Sequence, residues 1–340
     1  MRPTGLQAEH LAEALGLHTS RPRLSWRLPA GAAEQLAYEV EIDGVGTGRT
    51  ATPGSVLNPW PGAPLGSRQR TRWRVRVWTD LGESEWSDPA TIELGLRSPD
   101  DWSAQWIGPV EEARIPPGER PAYLLRGRFE LADLGVGRLY ATAHGIYECS
   151  LNGHRVGNHE LAPGFTAYDR VLQVQTYDVS DLLVAGSNEW RVSLADGWFR
   201  GKNGFNQVAD CYGTRVAFLG QLEVDGEVAA VTDERWEWAP STTVAADLMQ
   251  GQREDRRRLP SDWSPVDVTT HPLEPLTDSP APPVAPSRRS VRSRSDDSTP
   301  TARSSTSART STAGSGSTTS ARSTPRSPSS TAKRSTAVAM

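Results

Sequence analysis

The chain has 340 residues, with 37 Lys and Arg against 41 Asp and Glu, a net charge of -4. The balance is uneven: the first 286 residues hold 27 basic and 39 acidic side chains, and the rest ten basic and two acidic. An acidic body excludes nucleic acid as its partner, because phosphate neutralisation needs clustered Lys and Arg, and no run of ~20 apolar residues crosses a membrane.

The length suits two or three domains of roughly 100–200 residues. The N-terminal stretch up to Trp26 has no apolar core behind a basic end, so no secretory signal is expected and a cytoplasmic location is. Cys149 and Cys211 form no C-x-x-C pair. They read as two buried free thiols in a reducing compartment.

From the N-terminus, a weakly amphipathic helix is expected near Ala8–Leu17, the only segment with that period. "AYEVEID" then alternates, with Tyr38, Val40 and Ile42 on one face and Glu39 and Glu41 on the other. "TRWRVRVW" does the same, with Trp73, Val75 and Val77 inward and Arg74 and Arg76 outward. A period of two marks half-buried strands. If the two are neighbours, Glu and Arg pair across the exposed face. With "ATIELGL" after a Gly-containing turn, residues 1–97 read as a fibronectin type III-like β-sandwich.

A second, larger unit is expected over 98–274. "IYECSLNG" puts Tyr147, Cys149 and Leu151 on one face and ends in Asn152-Gly153, a tight-turn pair because both residues tolerate positive φ. "VAFLGQLEV" alternates Val216, Phe218, Leu222 and Val224 inward, and Asp225-Gly226 turns the chain into "EVAAVTD". With no helix-length segment present, this unit reads as a jelly-roll-like antiparallel β-sandwich. The fold class is all-β.

Every Trp, Tyr and Phe lies at or before Trp263. Residues 275–340 are Pro-rich and then almost only Ser, Thr, Arg and Ala, too apolar-poor to offset chain entropy, and are expected to be a disordered tail. Two origins remain open for it: a reading-frame shift near Pro286, or a genuine basic tail that binds acidic surfaces.

Catalytic motifs are scarce. The six histidines form no H-E-x-x-H or H-x-H pattern, so no metal is expected, and His154 and His159 read as surface residues. There is no G-x-S-x-G and no P-loop, and no cofactor is expected. Glu111/Glu112 and Glu254/Asp255 are adjacent in sequence, face opposite ways on a strand and read as solvated charge. Among twelve tryptophans, Trp26 and Trp73 read as core, and Trp102, Trp106, Trp236 and Trp263 as interdomain packing. The remaining candidate is "LADGWFRGKNGF". Its residue chemistry allows two readings. As a carbohydrate-binding loop, Asp196 accepts sugar hydroxyls, Trp198 or Phe199 stacks, and Arg200 and Lys202 clamp. As a structural loop, Trp198 buries and Arg200 pairs with Asp196.

Six motifs in order carry a family resemblance: "PRLSW" (Pro22–Trp26), "DWSAQWIG" (Asp101–Gly108), "GIYECSLNGHRVG" (Gly145–Gly157), "LAPGFTAY" (Leu161–Tyr168), "QTYDVSDLL" (Gln175–Leu183) and "DGWFRG" (Asp196–Gly201). Over roughly residues 1–280 the chain resembles the N-terminal part of bacterial α-L-rhamnosidases of glycoside hydrolase family 78. That family usually has G-D-G-W-Y-R-G, so Ala195 and Phe199 depart from it. The resemblance implies rhamnose-containing glycosides as partners. It also implies further β-domains and an (α/α)6 barrel, whose two carboxyl groups perform an inverting hydrolysis. No part of this sequence matches the barrel, so no catalytic residue is carried over. In the family the "DGW[FY]RG" loop belongs to a noncatalytic sandwich beside the barrel, which favours the structural reading.

Overall fold

A computed structural model describes residues 1–111, 115–258, 260–279 and 281–285. The tail beyond these, with its two expected origins, lies outside the described residues, as does Glu112.

The first sandwich opposes a two-stranded sheet, Thr4–Ala8 with Leu24–Arg27, to a larger one. The larger sheet runs Ala14–Leu17, Ala90–Leu94, Arg70–Thr79, Gln35–Ile42 and Val45–Gly46 in spatial order. The alternation expected in its two long strands holds, and they pair antiparallel with Glu39 opposite Arg76 and Glu41 opposite Arg74. Arg74 Nε donates to Glu41 Oε1 at 2.8 Å and Arg76 Nη2 to Glu39 Oε2 at 2.7 Å. Below this charged face, Trp73, Val75, Val77, Tyr38 and Val40 close over Trp26. Trp26 Nε1 donates to Gln35 Oε1 at 2.9 Å, which satisfies its one polar atom in the core.

No helix forms at Ala8–Leu17. Thr4–Ala8 and Ala14–Leu17 are strands joined by a turn, and the second pairs in parallel with Ala90–Leu94. Gly16 explains the outcome. Its φ is +79°, and a Cβ there would meet Thr176 Oγ1 of the second sandwich at 2.2 Å. This backbone approach needs glycine, and glycine weakens a helix interior by about 1 kcal/mol.

The second sandwich packs two sheets. One runs Asp267–Thr269, Trp106–Gly108, Ala217–Val224, Gly137–His144, Leu172–Asp178 and Leu276–Asp278. The other runs His154–Arg155, Ile146–Leu151, Gly186–Ala195, Tyr123–Leu131, Glu237–Pro240 and Ser264–Pro265. Asn152 and Gly153 take φ +51° and +82°, and Asp225 and Gly226 +51° and +85°, the double positive-φ turns expected of these pairs. Leu125, Leu139, Trp190, Phe218 and Trp236 form the core between the sheets. Trp236 is therefore a core residue and not an interdomain one, and Trp263 is half-buried with Arg126 stacked 3.8 Å from its ring centroid.

Ala217–Val224 departs from the expected one-sided alternation. Phe218 and Leu222 face the core between the sheets, and Ala217 and Leu219 are equally buried on the other side. Leu96, Trp102, Trp106, Tyr140, Tyr168 and Leu276 cover that outer face. Leu276 belongs to the segment expected to be disordered. Its strand adds in parallel beside Leu172–Asp178, so the ordered body extends beyond 274 and is not purely antiparallel.

The two sandwiches are held by reciprocal arginines. Arg68 of the first donates to Glu223 of the second from Nε and Nη2, both at 2.8 Å, and from Nη1 to Asp101. Arg138 of the second donates to Glu93 of the first at 2.5 and 2.9 Å.

Candidate functional site

The strand Gly186–Ala195 ends at Asp196, and the chain winds into a four-residue helix, Gly197–Arg200. Gly197 makes this turn with φ +54°, against the backbone of Gly145 and Ile146. The loop that follows is pinned by ion pairs. Arg200 Nε donates to Asp196 Oδ1 at 2.7 Å, and Nη1 donates to both oxygens of Glu111 at 2.9 and 2.8 Å. Arg120 Nη1 lies 3.2 Å from Asp196 Oδ2, and the same guanidinium grips Asp210 with bonds of 2.8 and 3.1 Å. The Tyr123 hydroxyl donates to Glu111.

Both side chains at the centre, Asp196 and Arg200, are only 1% exposed. Burial works against the Asp196 charge and raises its carboxyl, while Arg200 and Arg120 on either side oppose that rise. Burial also works against the Arg200 charge, but Asp196 and Glu111 outweigh it and hold the guanidinium protonated. The group is thus an ionic knot whose charges are neutralised internally, with Arg200 Nη2 ion-paired to Asp196 at 2.6 Å but making no hydrogen bond of its own.

The four residues assigned to sugar contact therefore separate. Asp196 and Arg200 are buried and pair with each other. Trp198 and Lys202 are half-buried. Lys202 donates its backbone N–H to Asp247 Oδ2 at 2.9 Å. Trp198 lies 5.9 Å from the ring of Phe165. Phe199 is core: it stacks on His144 at 4.5 Å, and His144 stacks on Trp106 at 4.5 Å. Burial, with His271 adjacent, pushes the His144 imidazole down to about 3, so it is neutral.

Glu111, expected as solvated charge, is instead part of the knot, and Arg120 and Asp210 went unread. Their partners lie 76 to 90 residues away in sequence, so no local spacing reveals them. Glu254 and Asp255 do pair locally with Arg256 and Arg257 on the surface. Of the two free cysteines, Cys149 is buried as expected and Cys211 is exposed. His154 is exposed, whereas His159 is half-buried with its ring 5.0 Å from that of Tyr177. Among the described residues, no group of three or more His, Cys, Asp or Glu is placed to hold a metal ion.

The described residues thus form a class of protein built from two consecutive β-sandwiches, clamped together by reciprocal ion pairs and carrying an internally neutralised loop. Residues 3–98 match the Rha78A-like, N-terminal immunoglobulin domain, and residues 133–296 match the Alpha-L-rhamnosidase N-terminal domain. An alpha-L-rhamnosidase of Formosa agariphila is 34% identical over 254 residues, covering 67% of this chain and 27% of that protein. The crystal structure of native α-L-rhamnosidase from Aspergillus terreus superimposes with TM-score 0.76 at 31% identity, over 84% of this chain and 36% of the other. The Streptomyces avermitilis alpha-L-rhamnosidase complexed with L-rhamnose shares the fold with TM-score 0.72 at 24% identity, over 82% of this chain and 46% of that one. The chain belongs to the α-L-rhamnosidase family as its N-terminal region, and it spans about a third of the length of these relatives.

Proposed function

We propose that this chain is the noncatalytic N-terminal part of a glycoside hydrolase that releases terminal, non-reducing α-L-rhamnose from rhamnosides, and that it is inert in hydrolysis on its own. The observation that carries this reading is the match of two family domains, in order, on one fold. Inverting hydrolysis needs an acid and a base ~6.5–9.5 Å apart across an open substrate position. The carboxylates Glu93, Glu111, Asp196 and Glu223 are each held by an arginine instead. Incubation of the purified chain with an aryl α-L-rhamnoside tests this. No aryl alcohol above the buffer blank is expected; release proportional to chain concentration overturns it. Translating the gene from the Leu276 codon onward in all three frames tests the longer protein, with a long helical domain containing acidic residues expected. The free thiols support a cytoplasmic setting.

A second reading, a carbohydrate-binding module for rhamnose-containing glycans, is favoured by the partial exposure of Trp198 beside Phe165, which is 59% exposed. Exposed aromatic rings side by side suit the apolar face of a sugar.

A further inference from the structure

A cleft of about 660 Å³ opens between the two sandwiches, and Gly16 and Thr176, which approach closely, are among its lining residues. His10 and Glu13 line it from the first sandwich, Asn158, Phe165 and Gln173 from the second, and Trp198 from the short helix. Ser279 and residues 281–284 line one rim, where the Glu160 N–H donates to the Val284 carbonyl at 2.7 Å.

We infer that this interdomain cleft is a binding site for a neutral carbohydrate. Three observations select that ligand class. The volume falls within the ~300–1,000 Å³ of small-molecule sites. No lysine or arginine is among the lining residues, and their carboxylates are Glu13, Glu160 and Asp278, which removes phosphates, sulfates and uronates from consideration. Beside these carboxylates the cleft carries neutral hydrogen-bonding side chains and an aromatic wall. The side chains of Gln7, Asn158 and Gln173 line the cleft and have no partner among the described residues. Their amides donate and accept, as paired sugar hydroxyls require. Trp198 and Phe165, 5.9 Å apart and inclined at 34°, offer ring faces to the sugar C–H groups. Of the residues first assigned to sugar contact, Trp198 alone lines this cleft. The inference rests on the carbohydrate reading above, with which it shares the Trp198 and Phe165 rings, and deepens it by placing the ligand in the cleft.

The test is titration of the full chain, by calorimetry and tryptophan fluorescence, with L-rhamnose and a neutral rhamnosyl disaccharide. Glucose 1-phosphate and spermidine serve as anionic and cationic probes. Saturable millimolar or tighter binding of a neutral sugar is expected, weakened about tenfold or more in Trp198→Ala and in Gln173→Ala. Phe205→Ala, a fully exposed ring outside the cleft, is expected to bind as the parent chain does. If Trp198→Ala fails to fold by circular dichroism, Phe165→Ala replaces it, since that ring is largely exposed already. Absence of saturable sugar binding overturns the inference, as does binding of spermidine or glucose 1-phosphate in preference to sugar. Sugar binding that the cleft variants leave unchanged also overturns it. None of these results touches family membership or the hydrolysis assay, which fail or stand separately.

Discussion

Arg68 of the first sandwich grips Glu223 of the second through two hydrogen bonds of 2.8 Å, and the Glu223 side chain is only 2% exposed. With Arg138 and Glu93 oriented the opposite way, each sandwich supplies one cation and one anion to the other. A buried ion pair repays its desolvation only while both partners are present.

Arg138→Met therefore leaves the Glu93 carboxylate buried without its guanidinium. The expected loss is about 3–5 kcal/mol, read from the urea midpoint of tryptophan fluorescence. The double variant Arg138→Met, Glu93→Leu is expected to recover much of it. A midpoint unchanged by Arg138→Met would show that the pair contributes nothing.

Asp196→Asn tests the ionic knot. It sets the Arg200 and Arg120 guanidiniums against each other without the anion between them. The expected cost is again about 3–5 kcal/mol, together with faster proteolysis in the 201–213 loop. A variant as stable and as protease-resistant as the parent would mean that Glu111 and Asp210 suffice.

Gly220→Ala tests the core. A Cβ there meets the Trp190 ring at 2.5 Å, on a strand buried on both faces. Overpacking of this kind costs about 1–3 kcal/mol, and the smaller ring of Trp190→Phe is expected to relieve part of it. Thermal unfolding of the single and double variants measures both.

Acid is expected to weaken the fold before its carboxylates titrate. His144 takes up a proton near 6.5 when unfolded but only near 3 when folded, because it is buried between Trp106 and Phe199. The unfolded state then binds the extra proton, so stability falls as pH drops below 6.5, by about 1.4 kcal/mol per unit. His18, His159 and His271 are lowered by burial and add in the same sense. Urea midpoints at pH 7 and 5.5 measure the slope, and His144→Phe is expected to flatten it.

Much of the scaffold is legible from residue order. The Glu39–Arg76 and Glu41–Arg74 pairs follow from two alternating strands, and the Asn152-Gly153 and Asp225-Gly226 turns from backbone sterics. These are local signals. What was misread depends on distant covering groups. Ala217 and Leu219 look like an outward face until Trp102, Trp106 and Tyr140 are seen to lie over them. Glu111 looks solvated until Arg200, 89 residues on, is brought beside it. Within the candidate loop, the Asp196–Arg200 pair of the structural reading forms, while Trp198 is only half-buried. The cleft itself draws on residues from 7–17, 158–176, Trp198, 278–279 and 281–284, so no single stretch could announce it.

The hydrogen bond from the Glu160 N–H to the Val284 carbonyl joins two stretches far apart in sequence. Closing so long a loop costs chain entropy that one backbone bond does not repay alone. Residues 281–284 therefore stand as a conditional wall of the cleft, one that forms only on a second sandwich that has already folded.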